Sequence, residues 1–287
     1  MLFGITGNVH KENATEVINN LYDFLKAKRI EFLIEKSFGN ALKDPQKKKC
    51  LVPLKYLLRH SEIIISLGGD GTFLNTANLV GRKNIPVLGV NLGSLGFMAE
   101  VSPDEINDFI LDIIKGKSRI SELCVITAQS KHKKINAINE ILVDKYNSVR
   151  MLELEIFCNR EKVSRFVADG VMISTPTGST GYSLSAGGSI ISPNSKVLAI
   201  TPICPHVLTL RPLIVPDDSK IHITAKGEKR IRVSSDGFNQ LVFDSPAEIS
   251  VHKAEHTIKI IKRLNRTYFQ TLTKKLLWAA DKRKYSK

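Results

Sequence analysis

The segment EIIISLGGDGTFL, residues 62–74, decides the fold class of this chain of 287 residues. Its first six residues, EIIISL, contain the β-branched run Ile63-Ile64-Ile65 and are typical of a buried strand, and apolar residues recur at helical spacing from Phe73 to Val80. The glycines between the two patterns permit a tight turn. A strand that passes through such a turn into a helix is typical of α/β domains, which bind ligands at the carboxyl ends of their parallel strands.

Strands and helices alternate on both sides of this segment. Short apolar runs predict strands at residues 2–6, 31–36 and 87–90, and helical periodicity follows the first of them. Ser102-Pro103-Asp104-Glu105 has the residue types that begin a helix. Residues 1–118 are therefore predicted to form an α/β domain with a mostly parallel sheet.

The sequence pattern changes after Gly116. Short β-branched runs, bounded by Asn, Gly, Asp and Pro, dominate residues 119–265 and predict an all-β domain of antiparallel strands. At the end of the chain, an apolar stripe at helical spacing predicts an amphipathic helix within residues 266–287, with its lysines facing water; the stripe consists of Phe269, Leu272, Leu276 and Leu277. We expect this helix to complete the first domain.

Composition excludes several classes of protein. The chain is 43% hydrophobic and 24% charged, which excludes a disordered or collagen-like chain. Its apolar runs are far shorter than the roughly 20 residues that cross a bilayer, and no basic segment precedes a long apolar run at the N-terminus. We therefore expect no membrane partner. Four scattered cysteines are typical of reduced thiols and predict a cytoplasmic protein.

The net charge of +14 is concentrated at the C-terminal end. From Lys253 onward there are 11 Lys and Arg residues against two acidic residues. Such a tail can bind nucleic acid, but single-strand binding needs basic residues interleaved with aromatic ones on one face, and only 7% of residues are aromatic. We therefore favour a solvated helix face over a nucleic-acid partner.

Two motif matches are misleading. His252-Lys253-Ala254-Glu255-His256 matches a zinc-protease motif that requires a helix, but its flanks alternate with strand period and predict a hairpin that turns at residues 253–255. Gly116-Lys117-Ser118 resembles the end of a phosphate-binding P-loop, but Leu111 stands where the first glycine of that motif belongs. We expect no metal site held by protein side chains, and a helix stop at Gly116.

The glycine-rich turn carries the strongest chemical signal. Gly68, Gly69, Gly71 and Thr72 are candidates to present backbone N–H groups to phosphate oxygens at the start of a helix. A carboxylate at this position would be repelled by a bound phosphate. Asp70 is therefore expected to have a chemical role, such as accepting a proton from an attacking hydroxyl or holding a metal ion. The alternative is an Asp-Gly tight turn without a chemical role.

A second polar cluster lies in the β half. Residues 175–188 are rich in Thr, Ser and Gly. Such a segment can bind a polar ligand through its hydroxyl and backbone groups, and the alternative is a Ser- and Thr-rich turn with a helix N-cap and no ligand. Asn139 and Glu140 lie inside a predicted strand, residues 135–143. Because adjacent strand residues face opposite sides, both bind one ligand only near a strand end or a bulge.

Five motifs together resemble the ATP-dependent NAD kinase family in order and spacing. They are LGGDGTFL (67–74), NLGSLGF (91–97), NEILVD (139–144), ADGVMISTPTGSTGYSLSAGG (168–188) and PHVLTLRPL (205–213). GGDGT alone is shared with diacylglycerol and sphingosine kinases and, loosely, with phosphofructokinases. The segment from Thr175 to Gly188 restricts the resemblance to the NAD kinase family.

The resemblance implies a Rossmann-like, phosphofructokinase-like α/β domain at the N-terminus, an all-β domain at the C-terminus, and a homo-oligomer, dimer or tetramer. The implied reaction transfers the γ-phosphoryl group of ATP to the 2′-hydroxyl of the adenosine ribose of NAD and yields NADP and ADP. It also implies a divalent cation, Mg²⁺, bound mainly through the ATP phosphates.

The resemblance further implies roles for individual residues. Asp70 matches the proton acceptor of the family, and Gly71 matches a backbone contact to the dinucleotide. The other dinucleotide contacts would be Asn139, Glu140, Arg150, Asp169, Thr177, Thr180, Gly181, Tyr182 and Ser185. Gly181 stands where Ala is common in the family. Asp236-Gly237 is followed by Phe238 where the family often has Gln, so no role is carried over to this position.

A lipid kinase built on the same GGDGT turn is the alternative among kinases. Such an enzyme needs an apolar acceptor cleft. The hydroxyl-rich residues 175–188 instead predict a polar acceptor.

Overall fold

The computed structural model describes residues 1–277 and divides into two compact units. Unit 1 consists of Met1–Glu122 and, among the described residues, 258–277, and unit 2 consists of Leu123–Thr257. The transition after residue 122 lies close to the predicted one at residue 118, whereas the transition after residue 257 precedes the predicted one at residue 265. The part of the predicted helix 266–287 beyond Leu277 lies outside the described residues.

The strands are, in chain order, β1 (Phe3–Gly7), β2 (Phe32–Glu35), β3 (Leu51–Val52), β4 (Ile63–Gly68), β5 (Val87–Asn91), β6 (Ser118–Leu123), β7 (Ile126–Ser130), β8 (Lys133–Ala137), β9 (Glu140–Lys145), β10 (Leu152–Cys158), β11 (Glu161–Ala168), β12 (Gly170–Ser174), β13 (Val197–Ile203), β14 (Leu213–Pro216), β15 (Ile221–Lys226), β16 (Arg230–Ser235), β17 (Asn239–Asp244), β18 (Ala247–Lys253) and β19 (Ile258–Arg263). The α-helices are α1 (Ala14–Ala27), α2 (Leu54–His60), α3 (Asp70–Val80), α4 (Ile106–Ile114), α5 (Tyr182–Ser185) and α6 (Tyr268–Leu276).

Unit 1 is built on a seven-stranded sheet in the order β3-β2-β1-β4-β5-β19-β6. The strand pairs from β3 to β19 are all parallel. The central strand, β4, is buried along its whole length, because its apolar residues suit a strand covered on both faces. The predicted α/β fold with a mostly parallel sheet is confirmed.

β19 lies in a different sheet from the one that its sequence pattern predicts. The pattern predicts a strand of the all-β domain at residues 257–261, after a hairpin turn at residues 253–255. Instead, β18 pairs with β15 and β7 in unit 2, whereas β19 pairs with β5 in unit 1. Alternating apolar residues predict a strand but do not specify its sheet, which is why the hairpin was mispredicted. His252 lies in β18, so the H-x-x-E-H match does not lie on a helix.

Unit 2 contains two six-stranded sheets, in the orders β11-β10-β15-β18-β7-β8 and β14-β13-β12-β9-β16-β17. Their registered strand pairs are antiparallel, which confirms the predicted all-β domain. Buried side chains of both sheets, such as Ile141 and Ile223, form one core. The predicted strand 135–143 is in fact two strands, β8 and β9, which Ile138 and Asn139 separate.

Local sequence accounts for the ends of α4. Ser102 and Glu105 form a reciprocal capping box before it. After its last residue, Gly116 adopts a φ of +71°, the left-handed conformation that ends many helices, so the predicted helix stop is confirmed. Among residues 1–277, no helix is long and apolar enough to cross a membrane.

Candidate active site

Asp70 is the first residue of α3, one residue after the end of β4. Gly69 between them is extended, with φ −114° and ψ −167°, so the chain changes from strand to helix within a single residue. An acidic side chain in the first turn of a helix interacts favourably with the helix dipole. The predicted strand–turn–helix is confirmed, and it places a carboxylate at the carboxyl end of the central parallel strand.

Four donors hold the Asp70 carboxylate. The backbone N–H groups of Met98 and Ala99 donate to Oδ1 at 3.0 Å each, and that of Phe97 donates to Oδ2 at 2.9 Å. The ammonium of Lys275, on α6, donates to Oδ2 at 2.8 Å. Gly96 makes this arrangement possible, because a Cβ at that position would lie 2.1 Å from Asp70 Oδ1. The carboxylate is therefore fixed in orientation.

These donors also keep Asp70 ionised. Burial raises the pKa of the carboxyl, but the hydrogen bonds from Lys275 and from the amides of Ala99 and Phe97, together with the charge of Lys275, outweigh burial and bring the pKa below its ordinary value. At neutral pH Asp70 is a carboxylate, the form that accepts a proton.

The four predicted phosphate-binding residues differ in accessibility. Gly68 is buried in β4, and a Cβ there would overlap the side chain of Thr72. Gly69, Gly71 and Thr72 lie in the turn and the first turn of α3, and Gly71 is exposed. The first N–H groups of a helix have no acceptor within that helix, so Gly71 and Thr72 are placed to present theirs to an anion.

In unit 2, Asn139 and Glu140 lie where strand pairing is interrupted between β8 and β9. The Asp236 carboxylate accepts hydrogen bonds from the N–H groups of Ile138, Asn139 and Glu140 at 2.9, 2.8 and 3.2 Å. Asn139 Oδ1 and Glu140 Oε2 are buried, and neither has a hydrogen-bond partner among the described residues. Because an unsatisfied buried acceptor costs free energy, these two atoms indicate a site for donor groups of a ligand.

Glu140 has a shifted pKa. Burial, and secondly the charge of Asp236, raise the pKa of Glu140 to about 7. Near neutral pH the side chain is therefore present in both protonation states. It accepts hydrogen bonds in one state and also donates in the other.

The hydroxyl-rich segment packs directly against this pair. It forms a single 3₁₀ turn, Gly178–Thr180, followed by α5. A Cβ at Gly178 would lie 2.1 Å from the carbonyl oxygen of Asn139, so only glycine fits there. At Gly181 a Cβ would lie 3.3 Å from Asn139 Nδ2 and 3.4 Å from Glu140 Oε2. The structure thus brings Gly181, Asn139 and Glu140 together.

A cavity of about 440 Å³ opens beside Glu140 within unit 2. Tyr182 and Phe238, each about half exposed, contribute to its walls together with residues 239 and 240. The position after Asp236-Gly237, which has no role in the sequence analysis, therefore borders the candidate site. Three further predicted contacts, on the segment that includes Tyr182, have part of their surface accessible: Thr177, Thr180 and Ser185.

Asp169 and Arg150 are not brought to this cluster. β9 and β12 are antiparallel, so Glu140 and Asp169 lie near opposite ends of the pair, about 16 Å apart at the usual rise per residue. Asp169 forms an ion pair with Lys145 at 2.6 Å. Arg150 is exposed in the loop that follows this same end of β9.

α6 agrees with its prediction in part. Lys274 and Lys275 are exposed, as predicted, but Lys275 also forms an ion pair with Asp70. In its predicted apolar stripe Leu272 is buried, whereas Phe269 and Leu277 are each 64% exposed. Helical periodicity defines a face of a helix but does not identify what that face contacts.

Two residues that shape the site are absent from the sequence-based assignments. Lys275 lies 205 residues from Asp70, and Asp236 lies almost 100 residues from the backbone that it holds. Asp236-Gly237 has the composition of a turn, and both residues have positive φ. That signal predicts the turn but not its long-range contact, and no local signal marks Lys275.

Side chains for a resident metal ion are not assembled in the described part of the chain. Within residues 1–277, no group of three or more His, Cys, Asp or Glu side chains is placed to hold one. Asp70, the carboxylate at the glycine-rich turn, already accepts four hydrogen bonds.

Two solved structures are similar to this chain over almost its whole length. Yeast NADH kinase complexed with NADH matches with a TM-score of 0.89 and 27% identity, over 98% of this chain and 89% of that one. An NAD kinase from Archaeoglobus fulgidus in complex with ATP matches with a TM-score of 0.79 over 96% of this chain and 99% of that one. Its identity of 23% supports the fold alone.

Sequence comparison gives the same family. The NAD kinase of Flavobacterium johnsoniae is 37% identical over 99% of this chain and all of its own length, and that of Bacteroides fragilis is 35% identical with the same coverage. The models of the ATP-NAD kinase N-terminal and C-terminal domains match residues 3–118 and 138–263. The chain therefore belongs to the NAD kinase family of phosphotransferase enzymes.

Proposed function

We propose that this chain transfers the γ-phosphoryl group of ATP to the 2′-hydroxyl of the adenosine ribose of NAD, with NADP and ADP as products. The observation that carries the proposal is the Asp70 carboxylate, held ionised and oriented beside the free N–H groups at the start of α3. This arrangement combines a proton acceptor with an anion-binding helix start, the two functions that phosphoryl transfer to a hydroxyl requires.

Asp70 acts as the proton acceptor in this proposal. The oxygen of the 2′-hydroxyl attacks the γ-phosphorus, the bond from that phosphorus to the bridging oxygen of ADP breaks, and the hydroxyl proton passes to Asp70. The N–H groups of Gly71 and Thr72 face the polyphosphate and offset its charge. Mg²⁺ enters with ATP as part of the substrate and supplies further neutralisation of the phosphate charge.

The unit 2 cluster binds the dinucleotide. Asn139 Oδ1 and Glu140 Oε2 are acceptors that lack donors among residues 1–277, and NAD offers ribose hydroxyls and an exocyclic amine. The neighbouring Gly181 and Tyr182 contribute backbone and ring contacts, while Thr177, Thr180 and Ser185 contribute hydroxyls. Asp169 and Arg150 lie at the opposite end of the β9–β12 pair from Glu140. Any contact that they make with a dinucleotide is therefore to a different part of it from the part that Glu140 binds.

We also propose a cytoplasmic location and a homo-oligomeric state for this chain. A cytoplasmic location agrees with the four cysteines, which are free thiols in the structure. A homo-oligomer, dimer or tetramer, is tested by sedimentation of the purified chain.

The decisive experiment is an acceptor assay with MgATP. Purified protein is incubated with MgATP and either NAD, diacylglycerol or sphingosine, and NADP and phospholipid are quantified. We expect NADP alone. Phosphorylation of a lipid without NADP would replace this proposal with the lipid-kinase alternative, and the absence of any phosphorylated acceptor would contradict both. Glu140→Ala provides a second readout, because the variant should bind NAD more weakly in calorimetric titration, and a cooperative melting transition verifies that it is folded.

A further inference from the structure

We propose that Lys275 of α6 is a positioning residue for the reaction: its ammonium orients the Asp70 carboxylate and maintains its negative charge while the polyphosphate is bound. The inference rests on the proposed role of Asp70 as proton acceptor. It concerns a helix that begins at Tyr268, beyond both ranges matched by the family models.

The first observation is the contact itself. Lys275 Nζ lies 2.8 Å from Asp70 Oδ2 and 4.6 Å from the centre of the Phe97 ring. Phe97 also donates its backbone N–H to Asp70 Oδ2. The ammonium is therefore held by the carboxylate and by an aromatic face, a favourable combination for a partly desolvated cation.

The second observation is how firmly α6 is anchored within unit 1. Thr267 and Gln270 form a reciprocal capping box at its start. Arg266, just before the helix, donates to Glu105 Oε1 at 2.9 Å and to the carbonyl oxygen of Glu100. Leu272 is buried on its inner side. Glu100 and Glu105, the partners of Arg266, follow residues 97–99, whose amides bind Asp70. The segment 97–105 therefore contacts both the Asp70 carboxylate and the start of α6.

The third observation is electrostatic. β4, α3 and residues 96–99 carry no charged side chain other than Asp70, and the next charged residue, Glu100, lies 3.8 Å from Lys262. Lys275 is thus the cation that faces Asp70 in the described part of the chain. A bound triphosphate brings several negative charges to the helix start and favours protonation of a neighbouring carboxylate. The charge of Lys275 opposes this effect directly.

The fourth observation concerns which bonds change during reaction. An ionised carboxylate offers about four acceptor positions, and Asp70 uses them for three backbone amides and Lys275. The amides belong to the backbone of residues 97–99, whereas the ammonium ends a side chain with several rotatable bonds. An incoming hydroxyl therefore takes the position on Oδ2 that the ammonium leaves as it shifts aside. Lys275 keeps its own proton throughout, and the hydroxyl proton goes to Asp70.

The test compares three variants of the full chain. Lys275→Met removes the charge, Lys275→Arg retains it, and Lys274→Met removes an exposed charge from the adjacent position of the same helix. Rates of NADP formation are measured with saturating MgATP between about pH 5 and pH 9. For Lys275→Met we expect kcat to fall about tenfold or more near pH 6, with partial recovery as the pH rises. Lys275→Arg should regain most activity, and Lys274→Met should match the wild type.

An unchanged pH profile for Lys275→Met, with kcat within twofold of the wild type, would overturn the proposal. A gain of activity in this variant would also overturn it, since the lysine would then block the base rather than position it. Melting temperatures of Asp70→Asn, Lys275→Met and the double variant form a second readout that needs no turnover. Less-than-additive losses would support the ion pair, and additive losses would count against it. If the wild type forms no NADP but the melting losses of Asp70→Asn and Lys275→Met are less than additive, the proposed function is wrong, whereas the ion pair between Lys275 and Asp70 is supported.

Discussion

At the residue scale, two carboxyl groups of this chain have opposite environments. Asp70 accepts hydrogen bonds from three amides and a lysine, and its pKa lies below the ordinary value. Glu140 is buried beside Asp236, and its pKa is raised to about 7. Environments that shift carboxyl pKa values in opposite directions often separate a base from a group that serves as a hydrogen-bond donor.

The side chain of Asp70 is predicted to be essential for turnover. Asp70→Asn should lower kcat by about 10²–10⁴, because the amide does not accept the 2′-hydroxyl proton. Steady-state kinetics with MgATP and NAD measure the loss, and the melting temperature verifies that the variant is folded. A kcat within about threefold of the wild type, a difference below 1 kcal/mol, would show that another group is the base.

Glu140 is predicted to make stability depend on pH. Its pKa is about 7 in the folded chain against 4.5 for an ordinary glutamate, so the folded state binds more protons between these values. The free energy of unfolding should therefore fall as the pH rises from about 4.5 to 7, by at most about 3 kcal/mol.

Glu140→Gln removes this titration and tests the prediction. Above pH 7 the glutamine variant should melt at a higher temperature than the wild type, and the difference should shrink towards pH 5. Glu248→Gln, at an exposed position of β18, is the matched control and should follow the wild-type profile. A constant difference between Glu140→Gln and the wild type at every pH would contradict the assignment.

At the element scale, loops set the geometry of both clusters. Residues 96–99 after β5 wrap around the Asp70 carboxylate, and the interruption between β8 and β9 directs Asn139 and Glu140 to one place. In each case a glycine permits the close approach: Gly96 beside Asp70 and Gly178 beside the carbonyl of Asn139. The regular strands supply the frame on which these loops are held.

Gly96 is predicted to tolerate no side chain. Gly96→Ala would place a methyl carbon 2.1 Å from Asp70 Oδ1, so the carboxylate has to move. A displacement of this kind should lower kcat by about 10²-fold. Gly93→Ala is the matched control in the same loop, because the nearest atom to its new methyl group would be Asn91 Oδ1, 4.0 Å away. Equal rates for the two variants would show that the approach of Gly96 is unimportant.

At the scale of the whole molecule, the excess of positive charge requires an explanation. The basic C-terminal region supplies Lys262, Arg263 and Arg266, which contact backbone or acidic groups of unit 1, as well as Lys275. These side chains have partners within the fold. The same residues are therefore unsuited to serve as a freely available nucleic-acid surface.

Deletion of residues 266–287 is predicted to impair stability and activity together. It removes the buried side chain of Leu272, which contributes roughly 1.5–3 kcal/mol, along with the contacts of Arg266 and Lys275. The melting temperature and the rate of NADP formation should both fall. Unchanged melting and activity with loss of RNA or DNA binding would instead support a nucleic-acid arm.

The sequence by itself determined the features that depend on local pattern. The apolar run before GGDGT predicts β4, and the periodicity after it predicts α3, because burial of strands and helices imposes different spacings of apolar residues. Asp70 and the Asn139–Glu140 pair were identified from residue types and from the family resemblance. The alternation of strands and helices, followed by short β-branched runs, was sufficient for the fold class.

Only the tertiary structure decided which distant residues meet. Lys275 reaches Asp70 across 205 positions, Asp236 holds the backbone of residues 138–140, and β19 joins the sheet of unit 1 rather than that of unit 2. The same structure separates Asp169 from Glu140 along β9 and β12. Periodicity specifies the buried face of an element, whereas its partner depends on shape and pairing across the whole chain, which no local pattern encodes.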